Sequence, residues 1–449
     1  MTDSFPTTLD SLTSLEALAF PMQLPESPHY LRAVTEMAQS SAVVAREAIY
    51  AEGGIKLVEK GARIDSRLYE RLVQHKLREP VDSHLMAEHA IDHAALVTAA
   101  REVAEHSALV QLLAQALGPQ FDRMWMLLAQ VPLPSTIAFK LTVMRDQRPK
   151  LFQHSLEMAI VALFMGIQSA LSDDDCIALI AAALLHDVGV LHMPPAWRDP
   201  QHKFTGGDRK QLVAHPITSL LLLRSAQVYS KEVEQAVLEH HERMDGTGYP
   251  RGLQGADISP LGRILLLAEV VTAFYDKYPA DLPGQQLSLA LRLNHRKFPA
   301  PLVAHLLPLL GQASPHGPAL EPLAANAPRS IETLAQAFAR WEAAKAAVPA
   351  PDPSAPSHEA TAFIDARLAT LKKILLEAGA HPDQQRDMLP WLEGDAAGLA
   401  EVVFVGREAM WQLQNMANSC LRRWPLMAAR HQPADAAVAQ WCDWVLAQF

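Results

Sequence analysis

The run Cys176–Leu185 is apolar on every side of a helix and ends in His186-Asp187. A helix lying on a protein surface keeps a polar face, so this one belongs inside a bundle, with an imidazole and a carboxylate at its inner end. Ser172 reads as its N-cap, with Asp175 in capping-box position, and the acids Asp173, Asp174 and Asp175 suit the positive end of the helix dipole without any bound cation. An aspartate buried where Asp187 falls needs a cation or several hydrogen-bond donors.

Other apolar patterns carry the same residue types inward. Val233, Ala236, Val237 and His240 follow i, i+3, i+4, i+7 spacing, so His240 shares the buried face, and His241-Glu242-Arg243-Met244 leads into the turn residues Asp245-Gly246 and Gly248-Tyr249-Pro250. His154 is in register with Met158, Val161 and Met165; taken alone it reads as a satisfied core histidine. His215-Pro216 taken alone reads as an ordinary loop or helix-start histidine. Glu269 is a single acid within the apolar run 264–271, where a buried carboxylate implies a partner. His89 and His93 stand four apart but lack a third ligand in register, so a solvated helix face explains them better.

A chain of 449 residues accommodates two or three domains. Cys176, Cys420 and Cys442 lie far apart with no CxxC spacing, which fits a reducing compartment and argues against a cysteine zinc site. The N-terminus lacks a signal-peptide pattern and the longest apolar runs read as core helices, so a soluble, cytoplasmic protein with no membrane insertion is expected. A formal charge of -10 argues against non-specific nucleic-acid binding, and an anionic substrate then calls for local cations, most simply metals.

Helical periodicity dominates, with one exception near the N-terminus. Two short apolar segments within 48–62 flank Gly53-Gly54 and read as a small hairpin leading to a helix over 66–76. Pro132 and Pro134 mark a boundary, and the Pro/Ala-rich stretch 346–358 reads as an extended linker. The expected domains are an N-terminal module (1–134), the domain with the candidate chemistry (135–345), the linker (346–358) and a C-terminal helical domain (359–449). Five of the eight tryptophans fall in the last, which suits an aromatic bundle core, or an interaction surface where rings are exposed.

His186-Asp187 and Gly248-Tyr249-Pro250, with the block His240–Pro250 around the second, resemble the HD-GYP family of metal-dependent phosphohydrolases, which is named for those two elements. The resemblance runs from Ser135 to Leu310. It implies an all-helical HD-domain bundle there; with the hairpin and helix read at the N-terminus and the helical patterns after the linker, the expected fold is mainly α, that bundle with a small N-terminal strand-plus-helix module and a C-terminal helical domain. The resemblance also implies two divalent ions, Fe or Mn, held by His154, His186, Asp187, His215, His240, His241 and Glu269, with Asp187 bridging. The implied activity is hydrolysis of cyclic di-GMP to pGpG or GMP by a hydroxide shared between the ions, in bacterial second-messenger signalling. Asp187 and Lys150 are the candidate catalytic residues, and Arg243, Arg251 and Tyr249 the candidate substrate contacts. A protein partner through the terminal domains, and a homodimer, are compatible with this reading.

Three positions depart from the family pattern. Val190 stands where a lysine commonly follows His-Asp-x-Gly, Lys150 where some members place a glutamate that helps bind a third metal, and Glu269 where an aspartate is usual. The alternative is therefore a catalytically degenerate member that binds metal and nucleotide as a sensor or scaffold.

Overall fold

Helix follows helix through the residues described by the computed structural model, which are 27–194, 206–277, 283–312, 320–346, 356–425 and 433–448. They form two units: Met1–Pro279 with Arg296–Leu309, and Ala280–His295 with Leu310–Phe449. In chain order α1 (Pro28–Ser40) precedes β1 (Val43–Ala45), β2 (Ile49–Tyr50), β3 (Lys56–Val58), α2 (Ser66–Val73) and β4 (Leu85–Ala87). β2 and β3 form the expected hairpin, with Ile49 opposite Val58. β1 instead pairs with β4, placing Val43 opposite Ala87, a partnership no local sequence signal announces.

Then come α3 (His93–His106), α4 (Ala108–Leu117), α5 (Arg123–Leu128), α6 (Ser135–Gln147), α7 (Pro149–Gln168), α8 (Asp173–Leu185), α9 (Gly206–Ala226), α10 (Lys231–Glu239) and α11 (Pro260–Lys277). α12 (Pro283–Leu293) belongs to the second unit, and α13 (Ala300–Gln312) to the first as far as Leu309. The second unit continues with α14 (Glu321–Ala324), α15 (Ala327–Ala346), α16 (Pro356–Glu377), α17 (Pro382–Met388), α18 (Ala396–Arg423) and α19 (Pro433–Leu446).

Local chemistry starts the helices that matter most. Ser172 accepts from Asp175 N at 3.1 Å to open α8, and α7 begins with Pro149, whose missing N–H costs nothing at that position. Leu179 to Leu185 are then buried without interruption, each leucine contributing about 1.5–3 kcal/mol by leaving water. Two of the runs read as core helices, Pro149–Gln168 and Asp173–His192, are long and apolar enough to cross a bilayer by length and composition alone. They are 72% and 67% buried within the protein, which explains the all-round apolarity as that of core helices.

The second unit has its own core, in which Trp341 and Trp441 cross at 66° with centroids 5.2 Å apart and Trp441 Nε1 donates to Ala337 O at 2.9 Å. Trp391, by contrast, is 88% exposed. Most of the linker 346–358 lies outside the described residues. Leu334, Phe338 and Trp341, which the sequence boundaries group with the preceding domain, share a core with Ile364, Leu368 and Leu413. A proline-rich segment marks where a helix cannot run, and does not say which flanking helices bury one another.

Candidate metal centre

Five helices of the first unit deliver the candidate ligands. His154 lies on α7, His186 and Asp187 follow the last turn of α8, His215 is within α9, His240 and His241 follow α10, and Glu269 is on α11. α7 packs on α8 and α11, and α10 on α8, α9 and α11, so the five positions converge. Their ligand atoms form two groups, Asp187, His215, His240 and His241 in one and His154, His186 and Glu269 in the other, all atoms of a group lying within 4.8 Å of one another.

The imidazoles are oriented by backbone. Nδ1–H of His186 donates to Ala183 O at 2.7 Å, that of His215 to Leu212 O at 2.5 Å and that of His240 to Val237 O at 2.6 Å. A carbonyl can only accept, so in each neutral ring the proton sits on Nδ1 and Nε2 carries a bare lone pair. His215 Nε2 lies 3.1 Å from His240 Nε2, and His186 Nε2 is buried without a hydrogen-bond partner; burial opposes the His215 cation, but Asp187 beside it raises its pKa. Two ring nitrogens this close in a core need a proton or a metal ion between them. The donor set of imidazole nitrogens and carboxylate oxygens fits Fe, Mn or Zn.

The carboxylates complete the arrangement. Asp187 reaches both groups, with Oδ1 2.9 Å from His215 Nε2 and Oδ2 3.4 Å from His186 Nε2. Burial works against its ionisation, yet His186 and His215 hold its pKa well below the usual carboxylate value. Burial likewise opposes the Glu269 charge, but His154 and His186 bring its pKa down to about 2. His154 Nε2 lies 3.1 Å from Glu269 Oε2, and its Nδ1 bonds Asp276 Oδ2 at 2.8 Å. Burial disfavours the His154 cation, but Glu269 and Asp276 outweigh it and raise its pKa well above the ordinary value. Burial and neighbouring histidines push His240 and His241 far down, which favours neutral, ligating rings.

Two acids that sequence reasoning missed hold the turn that follows the histidine pair. Glu242, fully buried, accepts from Arg251 N at 2.7 Å and Leu253 N at 2.9 Å, and Glu239, also fully buried, accepts from Ser259 N at 2.8 Å. The available signal was the position of Glu242, between a buried histidine pair and a turn. Gly248 packs so closely that a Cβ there would stand 2.3 Å from Arg243 N, and a Cβ on Gly189 would stand 2.6 Å from His215 O. Only glycine fits either place. Asp276 is the third missed residue; four to five positions beyond an apolar run, it looks like a helix-end acid.

The expected substrate contacts divide. Tyr249 stacks on His241 at 4.6 Å and 28°. Arg243 is half-buried, donates to Glu242 O at 2.7 Å and is pushed down in pKa by burial. The Arg251 guanidinium is engaged with the buried Glu239 and fastens the turn. Lys150 is exposed one helical turn before His154, and Val190 is half-buried in the 3-10 turn Val188–His192.

Comparison with known proteins matches residues 141–293 to the HD domain. A 3'3'-cGAMP-specific phosphodiesterase 3 from Vibrio cholerae is 35% identical over 126 residues, covering 28% of this chain and 27% of that protein. The cyclic di-GMP phosphodiesterase PdeB of Borreliella burgdorferi is 29% identical over 120 residues, 27% of this chain and 31% of that protein. The matched segment thus spans less than a third of either relative. Among solved structures, an HDG"Y"P protein from Bdellovibrio bacteriovorus aligns with a TM-score of 0.34 and 15% identity, over 60% of this chain and 94% of its own.

Proposed function

With residues 141–293 an HD domain of the HD-GYP kind, we propose that the chain is a metal-dependent phosphodiesterase that opens cyclic di-GMP to pGpG or GMP. The observation that carries this reading is the convergence of five imidazoles and two ionised carboxylates in two groups of candidate ligand atoms, with Asp187 reaching both. We assign His154, His186, Asp187, His215, His240, His241 and Glu269 to two divalent ions, Fe or Mn, with Asp187 within reach of both groups. When bound, two such ions supply Lewis-acid charge and lower the proton affinity of water.

The chain's own residues do the rest. The Nδ1–H bonds to backbone carbonyls keep three rings from swinging when substrate competes for space. Tyr249, set against His241, offers a π face to a guanine. Arg243, which makes no ion pair among the described residues, is positioned to meet a phosphate, and Lys150 provides a second cation from the rim.

Purified chain loaded anaerobically with Fe(II) or Mn(II) and given cyclic di-GMP is expected to yield the linear dinucleotide or GMP, with 3'3'-cGAMP assayed beside it as the substrate named for one relative. Two bound metals and tight cyclic di-GMP binding without product would reject the enzyme. That outcome would support the second reading, a metal- and nucleotide-binding sensor or scaffold, which Val190 and Glu269 favour.

A further inference from the structure

The second unit contains a cavity of about 440 Å³ bordered by α12, α16, α17 and α18. That volume lies within the roughly 300–1,000 Å³ typical of small-molecule sites. Its walls are aliphatic, with Leu289, Ile374, Val402 and Val405 among them. Arg292, His295, Glu377, Gln385 and Glu401 interrupt them, and of these Gln385 is the buried one. Gln385 lines the cavity, is only 4% exposed, and its side-chain amide makes no hydrogen bond among the described residues. That amide opens on the cavity with no described residue answering it, so a ligand that enters can take both its donor and its acceptor.

The ligand class follows from what surrounds that amide. A glutamine presents a donor and an acceptor side by side in one plane, the complement of a heterocyclic base edge. At the rim, Arg292 pairs with Glu401 at 2.8 Å and Lys373 with Glu377 at 3.7 Å, with His295 beside them. With both cations already held by carboxylates, such a rim favours hydroxyls, from which the carboxylates accept hydrogen bonds, over an anion. We propose that this cavity binds an uncharged nucleoside, its base edge on Gln385 between aliphatic walls and its ribose hydroxyls toward Glu377 and Glu401. The site is separate from the metal-ligand cluster and does not rest on the proposed phosphodiesterase activity.

Calorimetric titration of the full chain with adenosine and guanosine tests it, with AMP and GMP as charged counterparts. At least one nucleoside should saturate, its monophosphate should bind about tenfold weaker or worse, and Gln385→Leu should weaken the nucleoside about tenfold or more at unchanged metal content. Val402→Trp, which fills the cavity, should abolish binding; because Gln385→Leu replaces only the amide, it carries the test should the bulkier variant fail to fold. Absence of saturation at millimolar nucleoside, equal affinity in Gln385→Leu, or tighter binding of the monophosphate would overturn the proposal. So would loss of the signal in a His240→Ala, His241→Ala double variant, since it would place the nucleoside at the metal centre.

Discussion

Two buried polar clusters in the first unit use similar groups and close differently. In one, the Asp82 carboxylate accepts from Tyr30 Oη and pairs with Lys140 Nζ, and the same ammonium lies 4.5 Å from the centre of the Tyr30 ring. Asp82, Lys140 and Tyr30 are all at most 4% exposed, and opposite charges cancel within the protein. His192 stacks on Tyr30 as a neutral ring, since burial and the Lys140 charge push its pKa down to about 3. In the other cluster, five imidazoles and two carboxylates gather in two groups of candidate ligand atoms. A polar cluster that closes on itself positions the fold, whereas one that closes only around a cation is a binding site.

The largest effect should come from opening the second cluster. His240→Ala with His241→Ala removes two donors from the group that also contains Asp187 and His215. Metal analysis should show at least one ion lost per chain, and turnover of cyclic di-GMP should fall on the order of 1,000-fold. Undiminished metal content would erase the distinction between the clusters. Lys140→Met should act on stability instead: it leaves Asp82 buried and unpaired, at a cost of about 3–5 kcal/mol in urea unfolding of metal-free protein, with metal content unchanged. In the same metal-free assay His240→Leu should cost little, because it removes a repulsion. A larger cost for His240→Leu than for Lys140→Met would show that the histidine cluster is already closed without metal.

How far this distinction could be read from sequence depends on whether a residue's environment is local. His186-Asp187 announce themselves because ten apolar neighbours on one helix dictate burial, and His240 because it continues an inward stripe. The hairpin around Gly53-Gly54 is local in the same way. Glu239, Glu242 and Lys140 read as ordinary helix or turn charges, since what buries them arrives from elsewhere in the chain: Arg251 and Ser259 for Glu239, and Asp82 for Lys140. The β1–β4 pairing and the grouping of Trp341 with α16 and α18 were hidden for the same reason.

Asp276 sharpens the comparison at intermediate scale. Its Oδ2 accepts from His154 Nδ1 at 2.8 Å, so it orients a candidate ligand much as Asp82 orients Lys140, but its benefit is realised when metal binds. Asp276→Ala should lower metal affinity about 10- to 100-fold in competition with a chelator, while urea stability of the metal-free protein changes little. A stability loss matching that of Lys140→Met, with affinity unchanged, would move Asp276 into the self-closing class.

The smallest effect expected is at Val190, half-buried in the turn that follows Asp187. A lysine there would face the requirement that Lys140 meets through Asp82, because a half-buried ammonium needs an anion. No acid is added by the substitution, so the substrate phosphate is the anion left to meet it. Val190→Lys should therefore destabilise the substrate-free protein slightly and raise turnover by up to about 100-fold, the scale on which a single charged donor to a transition state acts. Measured at equal metal occupancy, a rise in kcat would locate the missing cation at this turn. An unchanged rate would assign that charge to Arg243 or Lys150, and combining Val190→Lys with Arg243→Gln would separate the two, since only a contribution from Arg243 would be lost.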